Sequence, residues 1–423
     1  MSSVPNPSLV LSFEEARRVV EQQAISVPAP ETEMAGILSC SGRVLGEDML
    51  ADRDLPPFSR STRDGYAVRS ADLATVPCTL DVIAEIKAGE RPDRIPENIV
   101  PGQAVSIMTG APVPSGADSV VMVEYTTEQH QRVEITRTIS AGENIVPAGA
   151  EARLGSMLVR RGTRLTDAAL ALAASVGKSR LKVYKRPRVA VLTTGDEIVP
   201  IDASPGPTQI RNSNSYSLAV QIANAGGEAV LLPIAPDEPQ ELRKLMEQGL
   251  QADLLLLTGG VSMGRYDLVE QVLSELKAEF FFTGAKIQPG RPVVFGRCPV
   301  PANVGSDLHA RYFLGLPGNP VSTMVTFELF ARPVLEALAG MFRRKLTFVY
   351  AKLKSEIRVK PGLKRFLPAT LVGEFEKSEV ELVRWQGSGD VAATARANCY
   401  IVIPPDREHI AQGEFVPILP RTV

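Results

Sequence analysis

The sequence predicts a multidomain α/β plus β protein, with a three-layer α/β module between two β-rich modules. Three observations carry this. Between about 183 and 340, near-continuous apolar runs alternate with amphipathic stretches, the pattern of βαβ units in a mostly parallel sheet covered on both faces. Short β-rich runs between Gly and Pro turns fill 51–148, and the same texture returns over 341–423. At 423 residues the chain also exceeds what one compact core holds.

The elements follow in order. Ser12 and Glu15 have capping-box spacing, and Phe13, Ala16, Val19 and Val20 share a face, so a helix is expected over 12–24. Strands are expected near 79–86, 104–108, 119–124 and 132–136. An Ala-rich helix over 165–176 ends at Gly177, a suitable C-cap. Next come a strand at 188–194, a helix near 215–225 ending at Gly226-Gly227, and a strand at 228–234. A helix at 238–250, the DLLLLT strand at 253–258 and a helix near 267–278 follow. A strand at 312–316 feeds a helix over 320–338, and a Gly-Ser loop at 387–389 lies in the last module.

With 46 basic and 48 acidic side chains the formal charge is −2, which argues against a general nucleic-acid binder. Cys40, Cys78, Cys298 and Cys399 form no C-x-x-C pair, and His130, His309 and His409 are the only histidines. Reduced thiols, not a His/Cys metal site, are expected. The N-terminus has no basic n-region, and no run approaches the roughly 18–20 apolar residues of a membrane span. A cytoplasmic protein without membrane contact is expected.

In an open parallel sheet, ligands bind beyond the carboxyl ends of the strands. Three unusual loops fall there: Thr193-Thr194-Gly195-Asp196-Glu197, Thr258-Gly259-Gly260-Val261-Ser262 followed by Asp267, and Leu316-Pro317-Gly318-Asn319-Pro320-Val321-Ser322. Glycines let backbone approach a ligand, and N–H groups at a helix start suit a phosphate. Carboxylates beside a phosphate need a cation, so Glu197, Asp237 and Asp267 point to Mg²⁺. Singly, Gly195 and Gly318 also suit turns and Asp237 a helix cap; three such loops at one edge favour a ligand. Asp64-Gly65-Tyr66-Ala67 and Met108-Thr109-Gly110-Ala111-Pro112-Val113-Pro114 read alone as turns. Lys286, Arg291 and Arg297 surround the turn Gln288-Pro289-Gly290-Arg291-Pro292, where they either grip an anion or are simply solvated.

The ordered set DGYA (64–67), MTGAPVP (108–114), TGDE (194–197), GGVS (259–262) with Asp267, PGRP (289–292), LPGNPVS (316–322) and GSGD (387–390) resembles the molybdopterin molybdenumtransferases, the bacterial MoeA proteins and the E domain of gephyrin. The similarity runs from about 10 to 418. It implies four domains: a discontinuous linker and dimerisation domain (1–50 and 149–182), a β-rich projecting domain (51–148), the α/β molybdopterin-binding domain (183–340) and a small C-terminal β-barrel (341–423). It implies a homodimer that takes adenylylated molybdopterin from a separate adenylyltransferase. Molybdate attacks, the dithiolene takes up the metal, AMP leaves, and the product passes to cofactor-receiving enzymes.

By position, Glu197, Asp237 and Asp267 match the acids linked to substrate and Mg²⁺. Asp64 and Thr109 match functional positions across the cleft, and Ser388 matches a serine at the molybdate site. The loop residues Thr194, Gly195, Gly259, Gly260, Ser262, Pro289, Gly290, Arg291, Pro317, Gly318, Asn319 and Pro320 are the expected substrate contacts. There are departures. Gln288 and Arg291 stand where many members have lysines, and Asn144-Ile145 is followed by Val146-Pro147-Ala148 instead of basic residues. Pro368 stands where an arginine is expected, leaving Lys364 or Arg365 to supply the charge. The alternatives are a non-catalytic scaffold like gephyrin, or a specialised paralogue handling tungstate.

Overall fold

The computed structural model describes residues 9–260, 268–299, 310–342, 345–374 and 377–421. Ser12 caps the first helix, α1 (Phe13–Ile25): its hydroxyl accepts the Glu15 N–H, and the Glu15 carboxylate accepts the Ser12 N–H. The chain forms two compact units, one of Met1–Gly46, Gly162–Thr166 and Leu181–Val423, the other of Glu47–Arg161 and Asp167–Arg180.

The second unit is built on a six-stranded sheet. Its order is Ser119–Met122, Gly65–Val68, Gln103–Ile107, Cys78–Ile86, Arg132–Ile135, Thr126–Gln129. Only the Cys78–Ile86 and Gln103–Ile107 pair runs parallel. Alternation along one strand buries Tyr66 and Val68 in one cluster and Ala67 in another, so the sheet is covered on both faces. Helix α2 (Asp167–Ser175) ends at Gly177, and the Lys178 N–H returns to the Ala173 carbonyl at 2.9 Å.

The first unit holds the other six-stranded sheet, ordered Glu228–Leu231, Arg188–Thr193, Leu254–Thr258, Ala310–Leu316, Val294–Pro299, Glu279–Phe282. The first four strands are parallel and the last two antiparallel. Helix α3 (Asn214–Asn224) covers one face, meeting Val189, Val191, Leu254 and Leu256 through Leu218 and Ile222. Helices α4 (Pro239–Gly249) and α5 (Leu268–Glu275) cover the other face, meeting Ala190, Leu192, Leu255 and Leu257. These are the three layers the apolar runs predict.

The helix expected over 320–338 is interrupted. It runs as α6 (Pro320–Thr326), a π-helical turn at Phe327–Ala331, and α7 (Arg332–Leu338). Pro333 has no N–H to offer the Leu329 carbonyl, and the buried Arg17 of α1 takes that carbonyl instead at 2.5 Å. Phe13 packs beside it, its ring 6.3 Å from Phe330 and 5.3 Å from Phe366.

C-terminal to α7, five strands close on themselves in the order Lys364–Val372, Glu379–Leu382, Val349–Leu353, Phe415–Pro420, Cys399–Ile403 and back to Lys364–Val372. Leu367, Ala369, Ile401, Ile403 and Ile418 fill this barrel, whereas Phe366, Tyr400 and Val402 turn outward into the α/β core. Ile287–Gln288 adds a short parallel strand beside Lys364 and Arg365. Among the described residues, no helix is long and apolar enough to cross a membrane.

Candidate active site

The parallel strands of the first unit deliver three motif loops to one sheet edge. Thr194 N–H donates to the Thr258 carbonyl at 3.0 Å, and Gly195 N–H to the Ala235 carbonyl at 3.3 Å. The Asp237 N–H donates to Asp196 Oδ1 at 3.1 Å, which draws the ends of two adjacent strands together. Partial desolvation raises the Asp237 pKa above the usual carboxylate value, and the charges of Asp196 and Glu197 add to the rise. Gly259 sits at φ 94°, where a Cβ would meet the Thr194 carbonyl oxygen at 2.4 Å, so only glycine lets these loops approach.

Asn214, at the start of α3, joins two of the loops. Its buried amide nitrogen donates to Thr258 Oγ1 at 2.9 Å and to the Gly318 carbonyl at 2.7 Å. Its Oδ1 is buried and, among the described residues, accepts no hydrogen bond. Beside it, Ser215 Oγ and Thr193 Oγ1 lie 2.8 Å apart, and Asn212 closes a two-way hydrogen-bonded pair with Ser215. Sequence reasoning overlooked Asn212, Asn214 and Ser215, and took Asp196 only as part of the TGDE loop. The signal was the polar string Asn212-Ser213-Asn214-Ser215 opening an otherwise apolar helix.

Pro320 opens α6, with Asn319 at its N-cap and making no side-chain capping bond. The Pro317 carbonyl accepts the Thr323 hydroxyl. The Val321 N–H, at the same helix start, donates to the Ser388 carbonyl at 3.0 Å, so the GSGD loop of the barrel meets the LPGNPVS loop of the sheet. Asp390 anchors that loop by accepting the Ala393 N–H at 2.9 Å and the Gln386 N–H at 3.0 Å.

At the Pro289-Gly290-Arg291 turn, the Arg291 carbonyl accepts the Ala285 and Val293 N–H groups, each at 3.0 Å, while Arg291 itself is exposed. Lys364 pairs with Glu14 and lies 4.6 Å over the Phe13 ring. Arg365 is buried on the barrel side of its strand and donates to the Lys360 carbonyl at 2.5 Å. Both candidates for the charge absent at Pro368 thus have protein partners.

In the second unit, Asp64 Oδ1 accepts the Thr109 N–H at 2.7 Å and the Thr109 hydroxyl at 2.9 Å, and these two bonds hold its pKa below the usual value. Gly65 follows because a Cβ there would stand 1.8 Å from the Val121 carbonyl oxygen. Ser262 and Asp267 lie outside the described residues. Among the described residues, no group of three or more His, Cys, Asp or Glu side chains is gathered for a metal ion.

Comparison with known proteins matches the whole arrangement. Residues 11–177 match the MoeA N-terminal region (domain I and II), 190–337 a probable molybdopterin binding domain, and 350–420 the MoeA C-terminal region (domain IV). A molybdopterin molybdenumtransferase of Nostoc sp. is 34% identical, covering 92% of this chain and 88% of the relative. One of Synechococcus elongatus is 32% identical over 97% of this chain and 99% of the relative. The crystal structure of a molybdopterin biosynthesis MoeA protein from Pyrococcus horikoshii superposes with a TM-score of 0.77 at 26% identity, covering 97% of this chain and 100% of that one. These relatives are named as enzymes, which does not favour the scaffold alternative. The chain belongs to the molybdopterin molybdenumtransferase family, transferases of molybdenum cofactor biosynthesis.

Proposed function

We propose that the family's reaction, insertion of molybdenum into molybdopterin, runs in this chain at the carboxyl edge of the first unit's sheet. The substrates are adenylylated molybdopterin and molybdate, and AMP leaves. The observation that carries this reading is the bond from the Val321 N–H to the Ser388 carbonyl, which brings the barrel's Gly-Ser loop against the LPGNPVS loop at the carboxyl edge of the sheet. Oxyanion and phosphate then meet on one side of the acids.

Glu197 and Asp237, together with Asp267, would hold Mg²⁺; their oxygen-only donor set fits a hard cation, and Asp237, its pKa raised first by burial and then by the charges of Asp196 and Glu197, would be relieved by one. When bound there, the ion would supply charge stabilisation to a leaving phosphate oxygen. Thr194, Gly195, Gly259, Gly260, Ser262, Pro317, Gly318, Asn319 and Pro320 form the phosphate and pterin cradle, and Pro289, Gly290, Arg291 and Ser388 receive molybdate.

The four-domain division of the sequence reading belongs to this proposal, as does a homodimer in which Asp64 and Thr109 act on the partner's substrate. The enzyme works in the cytoplasm, between an adenylyltransferase and the enzymes that receive the cofactor. The test is direct: incubate the purified chain with adenylylated molybdopterin and molybdate, and measure AMP. Molybdate-stimulated AMP release is expected; none would sink the reading.

A further inference from the structure

The six-stranded sheet of the second unit ends in a row of three residues. Gly65–Val68, Gln103–Ile107 and Cys78–Ile86 are adjacent strands, with Gly65 opposite Ile107 and Ile107 opposite Ile86. One step beyond these stand Asp64, Met108 and Lys87, kept level by the Met108 N–H on the Ile86 carbonyl at 3.0 Å. The Thr109 N–H then closes on Asp64 Oδ1. The Gly110 N–H donates to the Ser61 carbonyl at 2.8 Å, which draws the Arg60–Ser61 strand, and Arg63 after it, to the same loop.

Arg63 and Lys87 are both exposed at this rim. Basic residues of the same segments have partners: Arg60 pairs with Glu151 at 3.2 Å, Arg91 with Asp93 at 3.0 Å and Arg94 with Glu90 at 3.9 Å. Among the described residues, Arg63 and Lys87 are in no ion pair. Nor is their charge spent on Asp64, whose low pKa comes from its two Thr109 bonds. An ionised Asp64 alone would repel an anion, whereas one acid between two cations sums to a positive charge. The departure at 146–148 fits this: Ile145–Val146 pairs with Arg60–Ser61, Val146 opposite Arg60, so the positive charge stands across the strand pair. Asp64 and Lys87 are two strand spacings apart, about 10 Å. That span suits two linked phosphates better than one tetrahedral oxyanion.

We propose that Arg63 and Lys87 are substrate-binding residues that grip the diphosphate of the adenylylated substrate, at the two ends of the row that Asp64 and Met108 share with Lys87. The proposal rests on the functional reading above and adds two residues to its site. Arg63 presents paired donors to phosphate oxygens, and Lys87 supplies a point charge on a flexible stem.

The test uses the full-length chain, titrated calorimetrically with inorganic pyrophosphate and with molybdate in metal-free buffer. Arg63→Gln and Lys87→Gln should each weaken pyrophosphate about tenfold, the scale of one charged hydrogen bond, and leave molybdate unchanged. Both side chains are exposed, so melting temperatures should match the wild type. Arg91→Gln removes a cation already paired with Asp93 and controls for net charge; pyrophosphate affinity should not move. No pyrophosphate binding by the wild type, or indifference to both substitutions, would overturn the proposal. So would equal weakening by Arg91→Gln, or weakening of molybdate alone. In turnover, KM for adenylylated molybdopterin should rise in both variants while KM for molybdate holds. AMP release by the wild type is measured separately. Turnover with an unmoved KM removes only Arg63 and Lys87, whereas absent turnover removes the reaction they serve.

Discussion

The Asn214 amide donates to the carbonyl of Gly318, 104 residues later in the chain, at 2.7 Å. That bond spans the sheet edge from the start of α3 to the loop that opens α6, and the second donation to Thr258 brings in the glycine loop between them. Asn214→Ala removes both bonds, one of them the buried bond to the Thr258 hydroxyl. A loss of about 1–3 kcal/mol is expected by urea unfolding, together with at least a tenfold fall in kcat/KM that a distant substitution of equal destabilisation does not reproduce. Destabilisation with unaltered kinetics would show that Asn214 does not position the loops.

Asp237 has a raised folded-state pKa, so its ionised form opposes folding. The cost is absent below the unfolded value of 3.8, grows as pH rises through the folded pKa, and is complete above it. Asp237→Asn should therefore melt higher than the wild type at neutral pH, with the gap closing as pH falls towards 3.8. Mg²⁺ should raise the melting temperature of the wild type and leave that of Asp237→Asn unchanged. Matching melting curves at neutral pH would contradict the electrostatic account, and an equal Mg²⁺ response would take Asp237 out of the metal site.

Thr109→Val keeps the backbone donor to Asp64 and removes the hydroxyl. The Asp64 carboxyl should then titrate closer to 3.8 by NMR, with reduced turnover. The composite site makes a further demand: inactive Asp64→Ala and inactive Asp267→Ala chains, mixed under conditions of subunit exchange, should regain part of the activity. No recovery despite demonstrated exchange would place all four acids and the Thr109 hydroxyl in one subunit.

Arg291 is exposed on a turn pinned by its own carbonyl, so its side chain can be changed without loosening the turn. A guanidinium presents paired donors to an oxyanion and keeps its charge at any working pH. Arg291→Gln should raise the molybdate concentration for half-maximal rate by about tenfold and alter pterin binding less. An unmoved molybdate dependence would leave the anion to backbone N–H groups and Ser388.

Much of this architecture is legible in the sequence because local signals agree with tertiary demands. DLLLLT has no polar face and becomes the central strand Leu254–Thr258, and Ser12 with Glu15 gives the cap of α1. What stays hidden depends on distant partners. The π-helical turn needs Arg17 to meet Leu329, a contact no local window contains. The strands Glu279–Phe282 and Val294–Pro299 are missing from the sequence reading, which passes from the helix near 267–278 to the strand at 312–316. EFFF is too short to stand out, and Gly296 and Pro299 interrupt the second strand. Of the site, the glycine loops announce themselves, whereas Asn214 looks like any polar residue at a helix start. Lys364 looks available until Glu14 is found beside it.

The clasp of Arg17 on the Leu329 carbonyl joins residues 312 apart. At the roughly 5–20 residues per second of translation, that partner emerges about 15–60 s after Arg17. Throughout that interval α1 has a capped start but nowhere to bury Phe13, Ala16 and Val20, whose neighbours belong to the α/β core and the barrel. The Glu47–Arg161 unit, by contrast, has nearly all its strands in hand early. The nascent chain thus carries an orphan amphipathic helix ahead of a finished β module.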